Sequence, residues 1–427
     1  MAMSGVRKNF SYLFGILTVA MYFIGLIIIN RGLGFRNAMI IVGALIAYYI
    51  ANVYNVAANR YKLKDMTTVI VINGILMTIT TFSKIFTFYE GIVLFGIITI
   101  FQIAFRYIVI MGVVEKERVV FVGENDYTQD LLESVKKDGQ YVFVTSLNNT
   151  DMKELGKEIL ELYKTKKFDV LVDFTDKLLR DPKLTDKLLQ YKLEGLQYYN
   201  YLEFYEIYES KLPISHLSPK WFLENTGFEI YHNNFNLKAK RLLDLLFALL
   251  IGIFAAPVIV LAAIIVKLES KGPIFFIQER IGEGNKKFNI VKFRSMTTDA
   301  EKDGPQWASK NDNRVTKFGK IMRATRIDEL PQLWNVLRGE MSFVGPRPER
   351  EYFIQQLEKE IPYYNLRHTV KPGLTGWAQV MYPYGASVED AYRKLQYDLY
   401  YIKHHSIPFD VKVLLKTVTI VIFGKGR

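Results

Sequence analysis

The 427-residue chain contains no cysteine. Disulfides, thiolate zinc sites, iron–sulfur ligation and a cysteine nucleophile are thereby excluded. Histidine is scarce: His216, His232, His368, His404 and His405 are the whole set, and none stands at H-E-x-x-H or a similar ligand spacing, so a histidine-held zinc has no support. Acidic residues are nearly missing from the first quarter of the chain. A cleaved signal peptide is not expected either, because the first apolar run is too long and no small-residue cleavage site follows it.

What is present is 50% hydrophobic yet 23% charged, with a mean hydropathy of +0.08. Such a chain must segregate the two, some segments to lipid and others to water. A net charge of +12 suits nucleic acid, anionic lipid headgroups or pyrophosphate substrates. The apolar runs favour the last two, and no nucleic acid partner is expected.

Residues 1–112 read as a transmembrane four-helix bundle. Its apolar runs, about 11–29, 37–56, 67–86 and 91–110, each approach the length that crosses a bilayer. Arg7 and Lys8 precede the first, Arg60, Lys62 and Lys64 follow the second, and Lys116 and Arg118 follow the fourth. The positive-inside rule puts both ends of the bundle in the cytoplasm, with Arg31 and Arg36 counting the other way. No run carries a buried ionisable pair, so anchoring is expected rather than transport.

Residues 113–231 alternate strands and helices: a strand at Val119–Val122, a helix over 128–137, a strand over 141–146, a helix over 152–164 and a strand over 169–174. That order predicts a Rossmann-like parallel α/β domain. Its first turn reads Gly123-Glu-Asn-Asp-Tyr127 instead of G-x-G-x-x-G, with acidic or bulky side chains where a pyrophosphate would approach the backbone. A regulatory or dimerising module is the better expectation, with a homodimer as the assembly it allows.

The final 232–427 begins with a fifth apolar run, about 241–266, that has basic residues on both flanks and Pro257 past its middle. Matching flanks suggest that both ends face one side. A proline break would let the chain dip in and turn back, although a kinked spanning helix fits the same features. Beyond Gly272 the chain is polar and rich in Arg, Lys, Gly and Pro, as in a domain lying on a membrane surface.

The segment Arg323–Arg338 carries the chemistry. Leu330, Leu333, Trp334 and Leu337 recur at helical spacing, with Asp328 and Glu329 at the start and Pro331 in the first turn. Alone, Asp328 reads as an N-cap, or as the acid of a Thr325–Asp328 capping box. A helix N-terminus also lowers a carboxylate pKa and attracts phosphate, which suits an ionised Asp328 to attack phosphorus and Glu329 to hold Mg²⁺. Lys292, Arg294, Arg323, Arg326 and Arg347, the last within Gly345-Pro-Arg-Pro348, supply the cations that phosphoryl transfer needs. Pro372–Gln379 reads as a loop followed by a short strand, and Asp398–Ile402 as an aromatic, acidic helix.

At these residues the chain resembles the polyprenyl-phosphate glycosyl-1-phosphate transferases, bacterial sugar transferases that prime capsule and exopolysaccharide synthesis. The likeness runs from Lys240 to the C-terminus through Lys240-Arg-x-x-Asp244, Gly272–Gln278 with Arg280 and Gly282, Lys292-Phe-Arg-Ser-Met296, Asp328-Glu-Leu-Pro-Gln332, Gly345–Pro348 and Pro372–Gln379. With four helices and an α/β module ahead of it, the chain resembles the family's long form. The resemblance implies that the fifth run is a re-entrant membrane helix and that a UDP-sugar gives up its sugar-1-phosphate to Asp328 with loss of UMP. Undecaprenyl phosphate, or another polyprenyl phosphate, then takes it. It implies a place in the bacterial inner membrane with the active site facing the cytoplasm, Mg²⁺ held by Glu329, and substrate contacts from Lys292, Arg294, Arg323, Arg347, Gln379 and Asp398. Two positions depart from the pattern: Ala256-Pro257 where Ser-Pro is common, and Met381-Tyr-Pro-Tyr-Gly385 where many members read Asn-Gly-Arg. The resemblance places the second beside the donor, which leaves the sugar open. The competing readings are an NAD-dependent nucleotide-sugar-modifying enzyme, which needs a dinucleotide fingerprint, and a non-catalytic membrane scaffold, which needs no Asp-Glu pair among cations.

Overall fold

A computed structural model describes residues 5–29, 31–32, 34–50, 63–112, 116–138, 141–165, 167–175, 177–228, 234–297, 313–383, 385 and 387–422. Arg60, Lys62, His232 and Tyr384, named above, lie outside them. The chain divides into two compact units, Met1–Glu209 and Ser210–Arg427.

The first unit opens with helices α1 (Gly5–Ile28), α2 (Phe35–Ile50), α3 (Leu63–Phe82) and α4 (Phe88–Gly112). Helix α4 packs against α1 and α3, and α2 against α3. Among the described residues of these helices, Phe88–Phe105 alone is long and apolar enough to cross a membrane. The others hold shorter apolar stretches, Leu13–Ile28, Phe35–Tyr49 and Val69–Phe82. The third run read as continuous from 67 to 86, but the helix stops at Phe82 and Lys84 turns the chain in the left-handed region (φ 52°). Arg31, which counted against the expected orientation, donates to Glu90 at 2.9 and 3.2 Å, so its charge is neutralised locally.

A polar chain links all four helices inside this apolar setting. The Tyr22 and Tyr48 hydroxyls lie 3.0 Å apart, Tyr48 donates to Asn73 Oδ1, and Asn73 Nδ2 donates to Thr99 Oγ1 (2.8 Å) and Gln102 Oε1 (3.1 Å). Counting ionisable groups in the sequence overlooks it, because every member is neutral. Interhelical hydrogen bonds in apolar surroundings contribute about 0.6 to 1.7 kcal/mol each. Asn73→Leu is therefore expected to destabilise the unit by roughly 1–3 kcal/mol. A thermal melt of the purified variant that matches the parent would show that the link contributes nothing.

The α/β part comprises β1 (Glu117–Val122), α5 (Thr128–Asp138), β2 (Tyr141–Leu147), α6 (Met152–Lys164), β3 (Val170–Asp173), α7 (Pro182–Glu194), β4 (Gln197–Asn200) and α8 (Tyr201–Glu209). All pairings are parallel, in the order β2-β1-β3-β4. The apolar run of β1 faces a core on each side, Val119 and Phe121 into one and Val120 and Val122 into the other. This is why it reads as unbroken hydrophobic and not alternating. Of the elements, α7, β4 and α8 were not anticipated, since β4 is a polar edge strand, Gln-Tyr-Tyr-Asn, with little period-2 signal.

Gly123 has φ 78°, and a Cβ there would come within 2.5 Å of Thr175 Cγ2. The amides that a pyrophosphate would need after it are already used. Asn125 N–H donates to Thr128 Oγ1 (2.8 Å), Tyr127 N–H to Asn125 Oδ1 (2.9 Å) and Thr128 N–H to the Asn125 carbonyl (3.0 Å). Tyr163 and Lys167 stand at the Tyr-x-x-x-Lys spacing that an NAD-dependent nucleotide-sugar oxidoreductase or dehydratase would need. However, α6 ends at Lys164, so the two do not share a helix face, and the Tyr163 hydroxyl donates to the Tyr191 carbonyl (3.3 Å).

The second unit begins at Ser210, earlier than the boundary expected at 231/232. Leu212 N–H donates to the Gln396 carbonyl, Trp377 Nε1 to Ser210 O and the Tyr363 hydroxyl to Leu217 O, at 3.0, 2.9 and 3.2 Å. These long-range bonds carry no local sequence signal. The elements are α9 (Pro219–Glu224), α10 (Asn234–Glu269), β5 (Phe275–Ile281), β6 (Lys287–Phe293), α11 (Lys317–Thr325), α12 (Leu333–Arg338), β7 (Ser342–Val344), α13 (Glu351–Glu360), β8 (Gly373–Thr375), α14 (Trp377–Met381), α15 (Val388–Lys403) and α16 (Ile407–Ile422). Among the described residues the unit is mainly helical, with β5 and β6 antiparallel and β7 and β8 parallel, each a two-stranded sheet.

Helix α10 is the second element long and apolar enough to cross a membrane, over Asn236–Glu269. It runs through Pro257, where the sequence suggested a break. Proline removes only one donor, and a long helix can absorb that as a kink. Its first turns are tied down by the Lys240-Arg-x-x-Asp244 motif. Lys240 Nζ meets Asp410 Oδ2 (2.5 Å) and Val344 O (3.1 Å), and Arg241 donates to Val336 O and Leu337 O at the end of α12 (2.6 and 2.8 Å). Asp244 accepts from the Ser342 hydroxyl and Phe343 N–H, both at 3.0 Å. These residues attach the apolar helix to the polar domain.

Candidate active site

The Asp-Glu pair does not open an α-helix. Residues Ile327–Gln332 form a 3₁₀ turn, with Arg326 before it in the left-handed region (φ 61°), and α12 starts at Leu333. Asp328 is not a cap: Thr325 donates back to Ile321 O and Met322 O, and Asp328 Oδ1 is buried with no hydrogen-bond partner. An enclosed carboxylate oxygen without a donor is costly, and functional sites are where such groups persist.

Strand β6 brings Lys292 to the turn. Asn335 of α12 holds them in register, accepting from Val291 N–H (3.1 Å) and donating to Asn289 O (2.7 Å). From the other side comes the β7–β8 pair. Gly345 and Gly373 let the two backbones touch, since a Cβ on Gly345 would lie 2.2 Å from Lys371 O and one on Gly373 2.2 Å from Gly345 N. That contact delivers Pro346-Arg347-Pro348. Arg347 Nη2 donates to Glu329 Oε1 at 2.9 Å, and its Nη1 lies 3.5 Å from Gln379 Oε1. Arg323 projects from α11 and donates to Ser295 Oγ at 3.0 Å.

The charges divide the two carboxyls. Burial, and then the charge of Glu329, raise the Asp328 carboxyl above its ordinary value against Lys292, Arg323 and Arg347. Burial works in the same sense on Glu329, but Arg347, Lys292 and Arg326 outweigh it and hold that carboxyl at about 2. A lowered Asp328 was expected from a helix N-terminus. The turn is too short to supply that dipole, and burial dominates. Lys292 is pulled down to about 8, first by burial and then by the Arg347 charge.

Not every predicted residue joins the site. Arg294 turns away and caps the end of α10, donating to the carbonyls of Ser270 (2.7 Å), Lys271 (3.2 Å) and Val266 (3.3 Å) and to Ser270 Oγ (2.9 Å). Asp398, 1% exposed, accepts from Arg367 Nη2 at 2.9 Å within the core. Its aromatic neighbours gave no hint of that pairing. Two residues the chemistry had not singled out do reach the site, Arg280 and Gln332. With Lys292, Arg347, Ile290 and Pro348 they line a small recess. Gln332 is 3% exposed, and its Nε2 has no hydrogen-bond partner. Both lay inside quoted motifs, which was the only signal for them.

Among the described residues no three His, Asp or Glu side chains gather as a metal site. Asp328 and Glu329 fit only an ion that takes most of its ligands from substrate phosphates and water, as Mg²⁺ does.

Residues 235–424 match the family described as bacterial sugar transferase. The UDP-N-acetylgalactosamine-undecaprenyl-phosphate N-acetylgalactosaminephosphotransferase of Aeromonas hydrophila is 46% identical over 187 residues, 44% of this chain and 44% of that protein. The UDP-glucose:undecaprenyl-phosphate glucose-1-phosphate transferase of Klebsiella pneumoniae is 45% identical over 188 residues, 44% of this chain and 40% of that protein. The match thus spans less than half the length of either. The exopolysaccharide production protein PSS of Rhizobium leguminosarum bv. phaseoli is 38% identical over 198 residues, 45% of this chain and 99% of that protein. A relative matched along 99% of its length, together with the family match over residues 235–424, places the chain in the bacterial sugar transferase family.

Proposed function

We propose that this chain transfers a sugar-1-phosphate from a UDP-sugar to undecaprenyl phosphate in a bacterial cytoplasmic membrane, the first membrane step of exopolysaccharide or capsule synthesis. The observation that carries the reading is Asp328: a buried carboxylate with an unpartnered oxygen, set among Lys292, Arg323 and Arg347. An Asp328 oxygen attacks the β-phosphorus of the donor. A phosphorus–oxygen bond to Asp328 forms as the bond to the bridging oxygen breaks, and UMP leaves with that oxygen. A phosphate oxygen of the lipid then attacks the same phosphorus, expelling the carboxylate and giving polyprenyl-diphosphate-sugar. Ionised Asp328, lifted above its ordinary basicity, is the better nucleophile for it. Lys292, Arg323 and Arg347 neutralise phosphate charge, and Gln332 and Arg280 offer donors beside them. Glu329, held ionised, would hold Mg²⁺, which would supply charge neutralisation at the pyrophosphate.

The relatives' names support the substrates, and they differ in sugar, so the donor is either UDP-glucose, UDP-N-acetylgalactosamine or a close analogue. The four N-terminal helices are read as a multi-pass anchor, with α10 dipping into the bilayer from the cytoplasmic side that carries the active site. The test incubates purified enzyme and Mg²⁺ with UDP-sugars labelled on the β-phosphate, without lipid. Label on protein, UMP release and chase of the label onto added undecaprenyl phosphate are expected. Lipid-linked product made without any labelled protein would replace the covalent route with direct transfer.

Lys292 adds a pH signature. Its cation is needed to meet phosphate, and it is lost as pH rises through about 8. The kcat/KM profile, which reports the free enzyme, should fall above that pH, and Lys292→Arg should move the falling limb upward. A limb that stays in place in Lys292→Arg assigns it to another group.

A further inference from the structure

Arg347 reaches Glu329 only if its own main chain is held still, and a stiff Pro-Arg-Pro unit needs an external brace. Gly345 N–H donates to Thr375 O and Gly373 N–H to Pro346 O, both at 2.9 Å. The next carbonyl, that of Arg347, accepts from Arg367 Nη2, also at 2.9 Å. The same nitrogen donates to Asp398 Oδ2 at 2.9 Å, and Arg367 Nη1 donates to the Tyr364 hydroxyl at 2.5 Å. Arg367 and Asp398 are 8% and 1% exposed. Neither has room to meet a substrate, yet each would be an expensive buried charge without the other.

We propose that Arg367, aimed by Asp398, is a positioning residue for the transfer reaction: it fixes the Arg347 main chain so that the Arg347 guanidinium meets Glu329. Asp398 then acts two contacts away from the chemistry. The inference rests on the transferase reading for its kinetic consequence, and on the packing alone for its structural one. Guanidinium is required because one planar fork must serve a carboxylate, a carbonyl and a phenol at once, which an ammonium on a flexible stem cannot do.

The test uses the full-length protein in detergent or nanodiscs, as Arg367→Lys, Asp398→Asn, Arg347→Ala and the double variant Arg347→Ala with Arg367→Lys. A displacement of about 1 Å at a catalytic group lowers rate by roughly a hundredfold. Arg367→Lys is therefore expected to reduce kcat/KM by that order and to speed hydrogen exchange selectively in the peptide covering 345–350. In the Arg347→Ala background the same change should cost no more than about twofold, because the group it positions is gone. Asp398→Asn should give a smaller effect of the same pattern, and it serves if Arg367→Lys does not fold. Fully additive losses, or unaltered exchange over 345–350 in both single variants, would overturn the proposal. A wild type that transfers no sugar-phosphate would instead overturn the transferase reading, and the exchange result would still decide whether Arg367 braces the loop.

Discussion

Asp328→Asn is expected to lower transfer by at least about 10⁴-fold, the cost of removing an attacking or relaying group from a working catalytic set. It should also leave no trappable sugar-phosphate on the protein. The accompanying stability result matters as much. Burial raises the Asp328 carboxyl, and one oxygen has no donor, so the folded state disfavours its charge. An uncharged isostere should melt no lower than the parent, the pattern of a residue kept for activity at the expense of stability. A variant that melts well below the parent and still transfers sugar-phosphate would make Asp328 a structural group.

The second large effect lies at the root of α10. Lys240 and Asp410 pair at 2.5 Å with side chains 13% and 10% exposed, and Asp410 also accepts from the Tyr401 hydroxyl at 2.6 Å. Lys240→Met leaves the buried Asp410 carboxylate without its cation. Breaking a buried pair from one side costs about 3–5 kcal/mol. For a unit of this size each kcal/mol shifts the midpoint by roughly 2–4 °C, so a fall of about 6–20 °C is expected. Lys240→Met combined with Asp410→Leu should recover much of it, since a matched apolar pair avoids the stranded charge. A single variant melting within about 2 °C of the parent would show that the pair is solvated in practice.

Both results separate roles that the sequence presented together. Lys292, Arg294 and Arg323 look alike as cations near an Asp-Glu pair. The fold sends Lys292 and Arg323 toward Asp328 and turns Arg294 onto the end of α10. Which way a side chain points in β6 follows its two-residue period, and Lys292 and Arg294 share that parity. Their fates differ because β6 ends at Phe293, leaving Arg294 on the loop beyond the strand.

The sequence by itself determined what depends on composition and on short-range pattern. Segregation of apolar and charged segments, the parallel order of β1, α5, β2, α6 and β3, and the ordered motifs from Lys240 to Gln379 were all legible, because hydrophobic period and turn residues act within a few positions. Tertiary structure alone decided the rest. It made Asp328 an enclosed carboxylate with one unpartnered oxygen where a helix cap was read, and it set Asp398 in the core against Arg367. It also drew residues 210–228 into the second unit and joined four apolar helices through Asn73. Each of these is a contact between residues dozens of positions apart, and its sign depends on burial, which raises one carboxyl while a neighbouring guanidinium lowers the next.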